Sequence, residues 1–384
     1  MKRYAFLLLF FLCVCISCQK DSNVIGENGI QILSPSVSVT EGTKSSVVEH
    51  TLADQSSFGL FGYCVPFQQD GDKQLDWAAG SAPWISKKEF AYADVFFNQE
   101  VTVNKGGLCS YKPSQQWYSE DEEVINGVDK FKYTFFAYYP FKKEKGVQVV
   151  APLEQESLDL PVVKYTVPFK GSDTSTPLND ELIEDFMYAS SINTLKHEGK
   201  LALRFSHAMA GLKIKFKSYN KNKIVTIKKA ELVCKDFFKN ITLNFGEVEN
   251  KNKFMEFDEE QKYSGTYNLL EDNKVVTLDL DESKDRIDYT SPKNILLITN
   301  VNADKNSFGA SAELHVEMET KDKKTGQTST INFNDFRLPD SFKAFPGIIY
   351  MLEVNLVDED FVVNIIAKNS EIWEDGGDSD CDID

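Results

Sequence analysis

Strict two-residue alternation is the feature that most constrains this chain. Over residues 310–319, Ala310, Ala312, Leu314, Val316 and Met318 share one parity, while Ser311, Glu313, His315, Glu317 and Glu319 share the other. Successive side chains of a strand point to opposite faces, so this run predicts a strand with one face buried and one in water. The pattern recurs at Ile348, Tyr350, Leu352, Val354 and Leu356, with Glu353 and Asn355 expected to face water, and at Val276, Leu278 and Leu280. It also recurs at Leu201, Leu203, Phe205 and His207, and at Leu212, Ile214 and Phe216, which alternate with Lys213, Lys215 and Lys217. Met209-Ala210-Gly211 interrupts these last two runs and predicts a bulge or tight turn. Residues 132–139 carry aromatics on both parities and predict a strand buried on both faces, ended by Pro140. Helical spacing shows only over 179–189, where Leu182, Ile183, Phe186 and Met187 predict one short helix or turn capped by Asn179 or Asp180. The reading is all-β: two tandem β-sandwich domains at 30–195 and 196–370, with no internal repeat. A chain of 384 residues is long enough for two cores.

The amino terminus predicts export. Lys2 and Arg3 precede an apolar core from Tyr4 to Ile16, too short to span a bilayer, which needs about 20 apolar residues. The segment closes on Cys15-Ile16-Ser17-Cys18, which is similar to the lipobox of bacterial lipoproteins, although Cys15 stands where that pattern prefers Leu. The expected signal peptide is residues 1–17, cut between Ser17 and Cys18, with lipid on Cys18. The competing reading is an ordinary secretory signal with an incidental cysteine. One acyl chain anchors only marginally, and the resemblance to lipoproteins implies the further acylation that makes attachment stable. Gln19-Lys20-Asp21 resembles, in part, the signal for display on the outer face of the outer membrane. Residues 18–29 read as a tether and residues 371–384 as an acidic tail.

Charge and composition exclude several function classes. Losing residues 1–17 removes Lys2 and Arg3 and no acidic residue, so the net charge of −17 becomes −19. Such a chain repels phosphate, so nucleic acid is not an expected partner, and membrane contact is expected only through the lipid. Cys64, Cys109, Cys234 and Cys381 show no metal-ligand spacing, and the sequence leaves open whether any of them pair in disulfides. Hydrolase, zinc-protease, P-loop and dinucleotide motifs are missing, so the reading is non-enzymatic, with no cofactor and no metal. His315 lies on a polar face and reads as a solvated residue. His207 lies on an apolar face and reads as a core histidine; catalysis would need a partner that the sequence does not identify. Asp378, Asp380 and Asp382 alternate in the tail, but the chain ends before a calcium loop could close. Pairing any two of the many carboxylates as glycosidase groups would be arbitrary.

Six segments together resemble the fimbrillin-like pilins of Bacteroidales, which build type V pili. They are Ser57-Phe58-Gly59-Leu60-Phe61-Gly62-Tyr63, Tyr133-Thr134-Phe135-Phe136-Ala137-Tyr138-Tyr139-Pro140, Asp185-Phe186-Met187-Tyr188-Ala189, the run from Leu203 through His207 to Leu212, Phe345-Pro346-Gly347-Ile348-Ile349-Tyr350, and Trp373-Glu374-Asp375-Gly376-Gly377. The resemblance implies two transthyretin-like sandwiches and no catalysis. It also implies assembly with other pilus subunits by strand exchange, in which an extended segment of one subunit fills an apolar groove and completes the sheet of the next. The segment 361–373 is then the candidate donor, with Val363, Ile365 and Ala367 as groove-filling positions; the alternative is that it is the last strand of its own domain.

In that family an arginine-specific protease removes the first strand of stalk subunits. Past the signal peptide this chain has no arginine before Arg204, although Lys44 could serve a lysine-preferring protease. That departure favours anchor or accessory duty, with the first strand and the lipid kept, over the polymerised stalk. The expected role is a structural or accessory (anchor or tip) pilus subunit that contributes to adhesion to a host or bacterial surface ligand, and the sequence leaves stalk, anchor and tip open. The competing class is a surface glycan-binding lipoprotein, which requires an exposed aromatic platform from Trp77, Trp84, Trp117 or Trp373.

Overall fold

The computed structural model describes residues 29–37, 50–66, 93–117, 124–125, 128–129, 131–141, 146–157, 159–168, 183–194, 200–248, 250–271, 274–306, 308–357 and 360–368. Cys18, Ser17, Lys44, the tether up to residue 28, the acidic tail, Cys381, Trp77, Trp84 and Trp373 lie outside them, while Gly29, expected as the last tether residue, is bridged to Gln116. The chain is all-β. Helix among the described residues amounts to one turn at Lys251–Phe254 and short 3₁₀ turns, and none of it is long and apolar enough to cross a membrane.

The aromatic strand Phe131–Tyr139 is central to an eight-stranded sheet. The order is His50–Thr51, Ser36–Val37, Arg204–His207, Met187–Thr194, Phe131–Tyr139, Ser57–Pro66, Phe96–Val103 and Cys109–Ser110. Its side chains divide by parity. Tyr133, Phe135 and Ala137 enter one core with Phe58, Leu60, Phe96, Trp117 and Phe205, while Phe136 and Tyr138 enter a second core with Phe61 and Tyr63. A strand walled by two cores needs large apolar groups on both faces, which is why this run departs from alternation.

The second core continues through a four-stranded sheet into the carboxyl-terminal half. Its order is Val147–Ala151, Val162–Thr166, Asn240–Asn244 and Met255–Phe257, the second and third pairing across the two halves. Two five-stranded sheets follow and bury their apolar residues in that same core. One runs Ile287–Thr290, Ala210–Ser218, Ile349–Val357, Asp360–Lys368, with Ile295–Leu297 also on Ala210–Ser218. The other runs Lys262–Asn268, Lys223–Phe238, Ala312–Asp322, Thr328–Arg337, with Val276–Asp279 also on Lys223–Phe238. Strand pairing and packing both cross position 195/196, because Lys200–Leu201 and Arg204–His207 pair with the amino-terminal strands Gln31–Ile32 and Ser36–Val37.

Most alternating runs are strands in the expected phase. Ala312, Leu314, Val316 and Met318 are buried, although the strand begins at Ala312 because Ala310 sits in a 3₁₀ turn. The helix expected over 179–189 is not formed in its described part. Residues 183–186 lack regular structure and Met187 opens a strand, opposite both Tyr139 and His207. Tertiary pairing on both sides outweighs a weak local spacing. Met209-Ala210-Gly211 proves to be a crossing: the chain leaves the eight-stranded sheet at His207 and enters a different sheet at Ala210.

Glu353 was expected to face water but is 6% exposed and accepts from Lys217 Nζ at 2.8 Å. Lys213 and Lys215 are likewise buried, Lys215 lying 3.3 Å from Asp288. Their parity was read correctly and their exposure was not. Ala210–Ser218 is flanked on both sides, so neighbouring strands cover its lysines, and Lys215 and Lys217 pair with Asp288 and Glu353.

Candidate functional site

The segment 29–37 is the first described part of the chain, and its seat is the best-built candidate site. Ile30 and Ile32 alternate around Gln31, and Pro35 then breaks the run before Ser36–Val37. Two short strands therefore form instead of one long one. On one side Gln31–Ile32 and Ser36–Val37 run parallel to Lys200–Leu201 and to Arg204–His207. Leu33 N–H donates to Leu201 O at 3.0 Å, and Ser36 N–H to Leu203 O at 3.1 Å. On the other side Ile30 N–H donates to Gln115 O and Ser34 N–H to Gly107 O, both at 3.0 Å. The segment is inserted between neighbours and is held on both edges.

Its apolar side chains complete the first core. Ile30 and Ile32 are fully enclosed and Val37 is 7% exposed, beside Leu201, Leu203 and Phe205. Full burial of a side chain of this size is worth about 1.5–3 kcal/mol, so the three together contribute about 4–9 kcal/mol gross. Two side chains from the opposite wall reach the segment's backbone. Tyr111 Oη–H donates to Ile30 O at 2.6 Å, and Cys109 Sγ–H to Leu33 O at 3.6 Å. Burial pushes both groups up, the Cys109 thiol to about 12, so each stays protonated as a donor at neutral pH. Residue 30 opens the first domain expected from the sequence, but Ile30, Ile32 and Val37 are not among the candidate residues that sequence alone offers. The period-two spacing of the two isoleucines was the available signal.

The candidate donor residues lie at the other end of the chain. Val363, Ile365 and Ala367 belong to the strand Asp360–Lys368, which pairs antiparallel with Ile349–Val357 at the edge of its sheet. In register they stand opposite Val354, Leu352 and Tyr350, all core residues. A terminal hairpin arm at a sheet edge is compatible with either role considered for it.

Two other singled-out residues are explained by packing. Trp117 is 2% exposed and meets Tyr133 edge-on at 4.6 Å, so it is part of the core and supplies no surface platform. His207 Nδ1 bonds Asp185 Oδ2, a carboxylate partner that sequence alone could not pair with it across 22 positions. Both are enclosed, with side chains 2% and 15% exposed, and they tie the lead into Met187–Thr194 to the end of Arg204–His207.

A family model described as fimbrillin-like matches residues 76–333. None of the curated proteins matches the chain. Among solved structures, a fimbrial protein from Bacteroides vulgatus ATCC 8482 aligns with a TM-score of 0.53 and 16% identity, over 81% of this chain and 92% of that one. A candidate cell adhesion protein from Bacteroides ovatus ATCC 8483 aligns with a TM-score of 0.42 and 15% identity, over 91% and 100% of the two chains. Another from Bacteroides uniformis ATCC 8492 gives 0.41 and 12%, over 88% and 97%.

Proposed function

Because the chain belongs to the fimbrillin-like family, whose members are fimbrial and adhesion proteins of the cell surface, we propose that it is a non-enzymatic lipoprotein subunit of a pilus, serving as anchor or accessory, tip included. In this reading lipid on Cys18 holds it in the outer membrane, and neighbouring subunits join it by strand exchange. In this reading it is two tandem transthyretin-like sandwiches, the first taking in Lys200–Leu201 and Arg204–His207, and it adds to adhesion to a host or bacterial surface.

The observation that carries this reading is the seat of residues 29–37. A short, interrupted segment fills an apolar slot that has backbone partners on both edges. Were it withdrawn, the slot would present unpaired backbone groups beside the pocket left by Ile30 and Ile32, the surface an incoming strand needs. Retention of the segment suits an anchor, and the absence of arginine between the signal peptide and Arg204 supports retention. Val363, Ile365 and Ala367 remain the proposed donor positions. The glycan-binding alternative loses Trp117 as a platform, since that ring is in the core.

Sequencing the amino terminus of the surface-exposed protein, together with electrophoresis of unheated samples, tests the proposal. Lipid-modified protein beginning at Cys18, found in complex with other pilus subunits, is expected. A ladder of self-polymers whose subunits begin beyond Lys44 would make it a stalk subunit. Protein beginning at Cys18 with no associated subunit would overturn the pilus reading.

A further inference from the structure

Thr328–Arg337 is the outermost strand of its sheet, and among the described residues Ala312–Asp322 is the one strand beside it. Folded proteins blunt such edges with lysine, proline, a bulge or very short length, because an unpaired row of N–H and C=O groups recruits other strands. Here the ladder is regular from Thr328 opposite Lys321 to Phe333 opposite Val316, and its one irregularity lies beyond, between Leu314 and Val316. The regular stretch reads Thr328-Ser329-Thr330-Ile331-Asn332-Phe333, with no charge, proline or glycine and with strong β formers at most positions. Thr328, Ser329, Thr330 and Asn332 are exposed and Ile331 is half-buried. In a chain that is 26% charged, the uncharged run extends from Thr325 to Asn334.

We propose that this edge is an interaction surface, and that its occupant is the same edge of a second copy, paired antiparallel across a two-fold axis. A β ladder needs an open edge on both partners, and a second copy brings an identical one; antiparallel pairing about a two-fold is self-complementary. Charge selects the place. Two copies of a chain carrying −17 repel over most of their surface. Along this run every cross-strand pair is uncharged: with the axis at Ile331, Thr330 meets Asn332 and Ser329 meets Phe333. The contact is lateral and independent of strand exchange.

The test uses the full chain carrying Cys18→Ser, which stays free of lipid, in sedimentation equilibrium across a wide concentration range. A monomer–dimer equilibrium is expected. Thr330→Lys with Asn332→Lys, which sets two like-charged pairs directly opposite each other across the axis, is expected to weaken it about tenfold or more while the monomer keeps its fold. Thr330→Cys, which lies two positions from its copy across the axis, is expected to crosslink with a short bismaleimide, and Thr277→Cys, an exposed position on another strand, is not. A monomer at every concentration overturns the proposal. So does association that resists the lysine substitutions but is lost on removal of residues 360–368, which would be strand exchange.

Discussion

The Tyr111 phenol donates to the Ile30 carbonyl at 2.6 Å, joining the opposite wall of the amino-terminal slot to the backbone of the segment that fills it. The bond is made by a half-buried ring that also meets Phe96 edge-on at 5.2 Å, so ring and hydroxyl are positioned together.

Tyr111→Phe keeps the ring and removes the bond. It is expected to cost about 1 kcal/mol of stability and to raise local opening of residues 29–37 several-fold. Amide exchange at Leu33 and thiol labelling of Cys109, which lies against Leu33 O, measure that opening under native conditions. Unchanged labelling of Cys109 would show that the phenol does not hold the segment.

Alkaline pH should destabilise the fold. Burial raises the Cys109 thiol from 9.0 to about 12, and it raises Cys64 as well. Below pH 9 both folded and unfolded chains hold the Cys109 proton and the group is neutral in its effect. Between 9 and about 12 the unfolded chain releases the proton while the folded chain keeps it, so stability falls as pH rises through that window. Urea midpoints measured from pH 7 to pH 11 should decline above pH 9, and Cys109→Ala should shallow the decline.

Gly59→Ala places a Cβ 2.3 Å from Tyr138 Cε1 and Cζ. The ring cannot retreat freely, because its hydroxyl is bonded to Asn98 Oδ1 at 2.6 Å and it lies between strands of the central sheet. The expected loss is about 1–3 kcal/mol, read from urea unfolding. Gly106→Ala meets no atom within 4 Å but sits at φ +114, so its cost is backbone strain alone and leaves the Tyr138 environment unchanged.

Asp185→Ala removes the carboxylate that bonds His207 Nδ1 in an enclosed site and is expected to cost about 1–3 kcal/mol. The double variant Asp185→Leu with His207→Leu removes both polar groups and should be less damaging than Asp185→Ala. Thermal unfolding of the double variant and of the single Asp185→Leu and His207→Leu variants measures the coupling. Equal, additive losses would mean the pair contributes nothing beyond packing.

Secondary structure was largely legible because period two is a local property. Val276–Leu280, Leu212–Phe216 and Ala312–Met318 declare which side chains face a core before any partner strand is known. The short spacing at Leu182, Ile183, Phe186 and Met187 misled because it spans only about one and a half turns, and neighbours on both sides claimed Met187 as strand. Exposure of the polar parity was legible only where one face is open. For Lys213, Lys215 and Glu353 it depended on how many strands lie alongside.

What the sequence by itself determined, therefore, is the all-β class, the strand phases and the family, each carried by residues adjacent along the chain. Only the tertiary structure decided that Ile30 and Ile32 are clasped between Lys200–Leu201 and the 107–116 segment, that Asp185 answers His207, and that Thr328–Phe333 is left as an edge. These are relations between segments brought together from tens to well over a hundred positions apart. Alternation states which face a strand buries, but which strand lies beside it is decided by the packing of the whole core.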